Sequence, residues 1–158
     1  MELEIAVDDP RSEDVRELLA THLQLSQLLT PPEYSFALGA DDLAVDAVTF
    51  FSARRGGKLV GFAALKRLDA DHAELKSMHT RESERRRGVG RALVEHLVAF
   101  ARAEGYRRIS LETGSTDDFV PARQLYVELG FRPCEPFGNY EASAYNTFMT
   151  RRLDDSWR

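Results

Sequence analysis

The chain of 158 residues lacks several sequence features that are typical of secreted and membrane proteins. It has one cysteine, Cys134, so no internal disulfide can form. It contains no apolar run close to the roughly 20 residues of a membrane-spanning helix. Its N-terminus alternates charged and apolar residues without a signal-peptide pattern. These features predict a cytoplasmic protein that does not enter a membrane.

The sequence also lacks the excess of basic residues typical of proteins that bind nucleic acid. Its formal net charge is −5 at pH 7, which argues against nucleic acid as a partner. Apolar residues make up 43% of the chain and charged residues 30%, as in ordinary globular proteins. A chain of this length can bury a sizeable core, and we expect one domain over residues 1–158.

Potential metal ligands show no recognisable spacing. His22, His72 and His96 are not arranged at ligand intervals with one another or with Cys134. We therefore expect no metal site, and we interpret Cys134 as a buried packing residue rather than a nucleophile.

A glycine- and arginine-rich segment, Arg85-Arg86-Arg87-Gly88-Val89-Gly90-Arg91-Ala92, is the most informative feature of the chain. It follows an extended run and precedes an apolar pattern of helical period. A turn from strand to helix leaves backbone N–H groups free at the positive end of the helix dipole, an arrangement that binds phosphate. Nearby arginines make the segment locally basic: Arg81, Arg85, Arg86, Arg87 and Arg91.

Two common phosphate-binding motifs do not fit this segment. A P-loop ends in Lys-Ser/Thr, but Arg91 and Ala92 occupy those places. The dinucleotide fingerprint needs a small residue where Leu93 stands, and it follows the first strand of its unit rather than lying past mid-chain. The remaining pattern is Arg-x-x-Gly-x-Gly, which resembles the loop that holds the pyrophosphate of acetyl-coenzyme A in the Gcn5-related N-acetyltransferase superfamily.

A second block about thirty residues later strengthens this resemblance. Residues 121–131, Pro-Ala-Arg-Gln-Leu-Tyr-Val-Glu-Leu-Gly-Phe, are similar to the closing helix of the superfamily. The resemblance covers residues 59–153, and the blocks at residues 74–78 and 111–114 are similar to its bacterial small-molecule enzymes. It implies that acetyl-coenzyme A is a co-substrate, held by Arg85, Arg86, Arg87, Gly88, Val89, Gly90 and Arg91.

Hydrophobic periodicity and turn signals predict the α/β (α+β) layout of such a domain. We expect strands near residues 3–7, 48–54, 59–68, 72–80, 108–113 and 146–153, and helices over 89–104 and 120–129. A first helix follows the turn at residues 8–10, has residues from Val15 to Leu25 on its buried face and is ended by Pro31-Pro32. A short helix is expected over residues 34–38. Ser12 or Asp9, and Asp118, are candidate helix caps. The strand after the third helix must run parallel to residues 72–80, in a mixed central sheet flanked by helices.

The resemblance implies that those two parallel strands splay apart and that the pantetheine arm lies between them. The arm would then contact backbone groups of Met78, His79 and Thr80 like an added strand. A backbone N–H would stabilise the oxyanion formed from the thioester.

Three side chains are candidates for the chemistry. An alkylammonium ion must lose a proton before it attacks a thioester, and Glu112 and Glu74 are the candidate acceptors of that proton. Tyr126 matches the tyrosine that assists thiolate departure in the resembled family. A tyrosine can donate to the thiolate because its ordinary pKa is close to that of a free thiol. A base role for His79 is the less favoured alternative.

The acceptor pocket is the least defined prediction. Tyr34, Phe36 and Tyr140 lie in irregular segments, and they either line the pocket or cover the core edge. The loop at residues 117–121 lacks the asparagine that many relatives carry there. We expect transfer to a primary amine of a small or amino-acid-like molecule; alternatives are a protein or peptide N-acetyltransferase and a non-catalytic acyl-coenzyme A binding module. Pairing as a homodimer is also implied by the resemblance.

Overall fold

The computed structural model describes residues 2–36 and 38–154 of the chain. Its seven strands are β1 (Leu3–Val7), β2 (Val48–Arg55), β3 (Lys58–Arg67), β4 (His72–Thr80), β5 (Arg108–Gly114), β6 (Arg132–Pro133) and β7 (Asn146–Arg152). They form one sheet in the order β1-β2-β3-β4-β5-β7-β6. Every neighbouring pair is antiparallel except β4 and β5. The predicted mixed sheet is therefore confirmed.

Helices cover both faces of this sheet: α1 (Glu13–Leu29), α2 (Ala40–Leu43), α3 (Val89–Ala103) and α4 (Val120–Glu128). Helix α3 buries an apolar stripe against the face that carries Phe51, whereas α1 packs against the face that carries Phe50. Neighbouring strand residues point to opposite faces, so β2 supplies both layers of the core. Helix α3 ends near the predicted place, where Gly105 adopts a φ of 88°.

The parallel pair β4–β5 positions the functional site. Pairing runs from His72 opposite Arg108 to Leu75 opposite Leu111 and is absent beyond that point in the described structure. Both strands nevertheless continue, β4 to Thr80 and β5 to Gly114. The two strands separate toward their C-terminal ends and leave a gap in the middle of the sheet, as the resemblance implied.

An irregularity in β4 coincides with this separation. The register between β3 and β4 shifts between Phe62 and Ala64, and Ser77 lies opposite the shift with a φ of 56°. This left-handed conformation is unusual for a residue with a side chain and is typical of a β-bulge. The Ser77 hydroxyl is buried without a hydrogen-bond partner among the described atoms. The bulge takes this part of β4 out of the regular ladder beside the gap.

Some local predictions are wrong. In the range expected to form a helix, Tyr34 ends a 3-10 turn at Pro32–Tyr34, and Ser35, Phe36 and Leu38 are not helical; Ala37 lies outside the described residues. Ser12, one of the two predicted caps of α1, is its N-cap residue, although its side chain makes no capping hydrogen bond. Phe119, not Asp118, is the N-cap residue of α4. Tertiary packing fixes these helix ends where the local capping signals do not.

Candidate active site

The arginine loop (residues 85–91) turns the chain from β4 into helix α3. Arg86 has a φ of 64° and Gly88 a φ of 82°, and Gly88 is the N-cap residue of α3. Glycine adopts this left-handed conformation without strain. Gly90 lies in a tight packing contact, because a Cβ there would lie 3.3 Å from Leu125 Cδ2 and would require a small shift of that side chain. The loop thus directs the N-terminal amides of α3 outward while α3 packs closely on α4.

The arginine side chains of this loop are exposed, as a binding site for a polyanion requires. Arg87 forms an ion pair with Glu84 at 3.1 Å, and Arg91 one with Glu128 at 2.7 Å. Arg86 makes no ion pair within the described part of the chain. Exposed ion pairs of this kind contribute little stability, so the arginines can change partners when a phosphate approaches.

The end of β4 contributes backbone rather than polar side chains to the gap. Met78 lines the gap, and its Cε would lie 3.8 Å from a Cβ at Gly90. The His79 ring is buried, and its Nδ1 lies 3.1 Å from Nδ1 of His22. Burial lowers the pKa of both His22 and His79 to about 4. His79 is therefore neutral at pH 7, but its ring is turned toward α1 and packed away from solvent.

A cavity of about 170 Å³ lies where β4 and β5 separate. This inter-strand cavity is lined by residues from α1, β4, β5, α4 and the intervening loops. Its walls contain His22, Ser26, Tyr34, Phe36, Glu74, Lys76, Ser77, Met78, Glu112, Phe119, Tyr126 and Tyr140. All three candidate catalytic residues and all three candidate pocket aromatics therefore meet at one place.

Glu74 is buried in this cavity and held by fixed donors. Lys76 Nζ lies 3.2 Å from its Oε2, and the Tyr140 hydroxyl donates to the same oxygen at 2.6 Å. Lys76 Nζ also donates to the Tyr140 oxygen at 2.8 Å. The Glu74 and Lys76 side chains are only 4% and 9% exposed. This closed triangle of contacts neutralises the Glu74 carboxylate and orients it.

Glu112 is the less constrained carboxylate. Asn146 Nδ2 donates to Glu112 Oε2 at 2.6 Å and also contacts the Tyr34 carbonyl oxygen at 3.1 Å. The Ser143 hydroxyl donates to Asn146 Oδ1 and fixes the orientation of the amide. Loss of solvent raises the pKa of Glu112, and the nearby Glu74 charge also raises it, while Asn146 and Lys76 act in the opposite direction. A carboxylate with a raised pKa is a stronger base.

Tyr126 lies on α4 with its ring packed at 5.7 Å from the Phe131 ring. It is 5% exposed, and it borders the same cavity as Glu112. Burial raises the pKa of Tyr126 well above 10, and the Glu112 charge raises it further. The expected match between its pKa and that of a free thiol is therefore wrong, because the sequence could not reveal how deeply the ring is buried.

The aromatic residues of the cavity form contacts across distant segments. Tyr34 stacks on Tyr145 at 5.0 Å, and Phe36 meets Tyr140 edge to face at 4.9 Å. Tyr34, Phe36 and Tyr140 all border the cavity, and their contact with an acceptor stays a prediction.

Sequence reasoning missed four residues of this site. His22, Lys76, Phe119 and Asn146 all contact the cavity or its carboxylates. The two-residue spacing of Glu74 and Lys76 on one strand was a usable signal, because alternate residues share a face. Nothing local connected Asn146 with Glu112, since only the β5–β7 pairing brings them together.

Cys134 and the histidines do not form a second reactive centre. Cys134 is partly exposed rather than buried as expected, and loss of solvent raises the pKa of its thiol, which disfavours the nucleophilic thiolate. Across residues 2–36 and 38–154, no group of three or more His, Cys, Asp or Glu side chains is placed to hold a metal ion. None of the helices in these ranges is long and apolar enough to cross a membrane.

A split parallel strand pair with a helix N-terminus at one side and paired carboxylates in the gap is the architecture of an acyl-coenzyme A-dependent acetyltransferase. The chain belongs to the Acetyltransferase (GNAT) family, whose pattern it matches over residues 13–131. It is 43% identical over 151 residues to the uncharacterized N-acetyltransferase YsnE of Bacillus subtilis (strain 168), covering 96% of this chain and 100% of that protein.

Further similarities support the same assignment. The uncharacterized N-acetyltransferase YedL of Escherichia coli (strain K12) is 39% identical over 149 residues, which cover 94% of each chain. The fold also matches a crystal structure of aminoglycoside 6'-N-acetyltransferase complexed with coenzyme A. That match has a TM-score of 0.71 at 20% identity and covers 95% of this chain and 97% of the other. At that identity the similarity concerns the fold alone.

Proposed function

We propose that the chain transfers an acetyl group from acetyl-coenzyme A to a primary amine of a small or amino-acid-like molecule by direct attack. One observation carries this proposal: Glu112 and Tyr126 border a single cavity at the point where β4 and β5 separate. A base for the amine and a donor for the leaving thiolate are both needed in such a reaction. No metal ion is part of the proposal.

The cofactor would approach from the side of the arginine loop. Its pyrophosphate would meet the N-terminal amides of α3 together with Arg86, Arg87 and Arg91. Its pantetheine arm would enter the gap beside Met78, His79 and Thr80. The register with β3 shifts beside Ser77, whose φ is 56°, and a backbone N–H of this irregular segment would be suited to stabilising the thioester oxyanion.

Glu112 is the better candidate for the base than Glu74. Glu74 accepts a hydrogen bond from Tyr140 and contacts the ammonium of Lys76, so a proton added to it would break an existing charge pair. Glu112 accepts one hydrogen bond, from Asn146, and its raised pKa favours proton uptake. In this scheme the acceptor ammonium gives its proton to Glu112, and the free amine then attacks the thioester carbonyl carbon.

Tyr126 would act when the tetrahedral intermediate collapses. The carbon–sulfur bond breaks, the amide nitrogen releases its remaining extra proton to the departing thiolate or to solvent, and the Tyr126 hydroxyl donates a hydrogen bond to the sulfur. Since burial keeps this hydroxyl protonated well above neutral pH, it remains a donor throughout the working range. Tyr126 is thus best suited to stabilising the thiolate by hydrogen bonding.

A small acceptor fits the cavity better than a protein side chain does. The cavity is small, at about 170 Å³, and Tyr34, Phe36 and Tyr140 form aromatic walls around its charged floor. A protein or peptide N-acetyltransferase is the second candidate, and its acceptor would need a more open groove. A binding module without catalysis is the third, and the presence of both Glu112 and Tyr126 argues against it.

The deciding experiment is the release of free thiol from acetyl-coenzyme A across a panel of amines, amino acids and peptides. We expect turnover on at least one small amine, with the acetylated product detected by mass. Tyr126→Phe should lower kcat about 10- to 100-fold, with little change in the KM for acetyl-coenzyme A. Binding of acetyl-coenzyme A without turnover on any amine would favour the binding module, and turnover on peptides alone would favour a protein acceptor.

A further inference from the structure

The charged side chains that line the inter-strand cavity do not cancel one another. The charged side chains in its described lining are Glu74, Glu112 and Lys76, which leave one negative charge in excess. His22 adds none at neutral pH, because its buried ring has a pKa of about 4. The hydroxyls of Tyr126 and Tyr140 stay protonated, since burial raises the pKa of both well above 10.

Lys76 is not available as a free site for an anion. Its ammonium lies 3.2 Å from Glu74 Oε2 and 2.8 Å from the Tyr140 oxygen, so its charge is already compensated. A carboxylate brought to Lys76 by an acceptor would also come close to Glu74. Like charges at such distances repel strongly when water is largely excluded.

The rest of the described lining contains no further carboxylate to compensate an additional positive charge. Beyond the three charged side chains, the described walls consist mainly of aromatic rings, hydroxyls and apolar side chains, including Tyr34, Phe36 and Phe119. A second ammonium on the acceptor would be desolvated there without an uncommitted carboxylate, which is costly. An aromatic or aliphatic body would instead pack against these rings.

We propose that the acceptor is a primary amine with a single positive charge on an uncharged, apolar body, and that the cavity selects against free amino acids and compact diamines. The inference rests on the proposed amine acetylation and narrows its acceptor. The one ammonium balances the excess negative charge when it meets Glu112, while Glu74 and Lys76 neutralise each other.

Two matched pairs of acceptors test this selection on the unmodified protein. Phenylalaninamide and phenylalanine differ in one carboxylate charge, and p-methylbenzylamine and p-xylylenediamine differ in one ammonium charge. We expect kcat/KM for the singly charged member of each pair to be at least about tenfold higher, which corresponds to one charge interaction at partly buried range. Equal use of both members, or preference for phenylalanine or the diamine, would overturn the inference.

Two variants sharpen the test because they change the cavity charge in opposite directions. Glu74→Gln removes the excess negative charge, so the preference for phenylalaninamide over phenylalanine should fall about tenfold. Lys76→Met adds to the excess, so the same preference should rise. Both variants break the same ion pair, and any general structural damage would therefore lower both activities without moving the ratio in opposite directions. Differences between the two amines in their own pKa cancel in this comparison of ratios.

Tyr140→Phe is the control for the ratio of kcat/KM between phenylalaninamide and phenylalanine. It removes a hydrogen bond to Glu74 and leaves the charges unchanged, so the preference should move less than about twofold. If the preference for phenylalaninamide over phenylalanine changed in the same direction in Glu74→Gln and Lys76→Met, the role of cavity charge would be refuted. Failure of every amine in the wild-type protein would instead contradict the proposed amine acetylation, so the two failures are distinguishable.

Discussion

The arginine loop and the inter-strand cavity are neighbours in the fold, but the loop is formed by consecutive residues and the cavity by residues distant in sequence. The loop consists of consecutive residues, and its backbone conformation at Arg86 and Gly88 directs the start of α3. The cavity gathers Glu74, Glu112 and Tyr140 from two strands and a loop. The loop is exposed and its charges change partners easily, whereas the cavity holds its charges in fixed contacts. We expect substitutions in the loop to affect cofactor affinity and those in the cavity to affect turnover and stability.

The largest expected effect is that of Glu112→Gln on turnover. Loss of the proton acceptor should lower kcat about 100- to 10,000-fold, with acetyl-coenzyme A still bound, as measured by thiol release and by cofactor titration. Glu135→Gln, at an exposed position, is the matched control and should leave turnover unchanged. If Glu112→Gln raised only the KM for acetyl-coenzyme A and left kcat unchanged, the cavity would not differ from the loop in its effect on turnover.

The same substitution should stabilise the protein. The pKa of Glu112 is raised in the fold, so its ionised form is less favourable there than in the unfolded chain. Its contribution to stability is therefore lost as pH rises through the raised pKa. Removing the charge should raise the Tm by about 2–4 °C at pH 7.5, as expected for roughly 1 kcal/mol in a chain of this size. An unchanged or lower Tm in a calorimetric scan would argue that the Glu112 charge is already compensated in the fold.

Glu74→Gln should act in the opposite sense on stability. It leaves the buried Lys76 ammonium without its charged partner, and breaking a buried pair in this way costs about 3–5 kcal/mol. Urea unfolding monitored by circular dichroism would measure the change in the free energy of unfolding. Activity of this variant should be assayed at temperatures well below its Tm. Equal stabilities of Glu74→Gln and the wild type would mean that the two glutamates are not distinguished by their surroundings.

In the loop, Arg86→Ala should weaken cofactor binding without affecting the chemical step. A lost charge-assisted contact to phosphate corresponds to about a tenfold rise in the KM for acetyl-coenzyme A. The effect should shrink as salt is added, because exposed charges are screened. Arg16→Ala, at an exposed position on α1, is the control. A fall in kcat at saturating cofactor would show that the loop also takes part in catalysis.

A further expected effect concerns the histidine pair at the edge of the cavity. Burial lowers the pKa of His22 and His79 to about 4, below their ordinary 6.5, so the unfolded chain binds more protons between these values. The free energy of unfolding should be highest above about pH 6.5 and should fall as pH decreases toward 4. His22→Gln should reduce this fall to about half, as measured by urea unfolding at pH 7 and pH 5. The same slope in both proteins would exclude the pair as its cause.

Local patterns were sufficient for the sheet, the long helix α3 and the arginine loop. Each of these is encoded in residues close together in sequence: alternation in β4, a helical stripe from Val89, and glycines at a turn. The resemblance to the superfamily marked Tyr126 and Glu112 as candidate site residues, and both border the cavity. Their catalytic roles stay predictions, and the fold alone does not test them.

Only the tertiary structure decided the character of the two carboxylates. Glu74 and Glu112 are equivalent in sequence, as single acidic residues on adjacent strands. Glu74 is compensated by Lys76 and Tyr140, while Glu112 meets an amide from β7. Partners 34 and 66 residues away in sequence set these contacts, and desolvation depends on the whole packed surroundings. The sequence by itself determined the strand-loop-helix unit around the arginine loop, because that unit follows from local backbone preferences, whereas long-range contacts placed Tyr140 at Glu74 and Asn146 at Glu112.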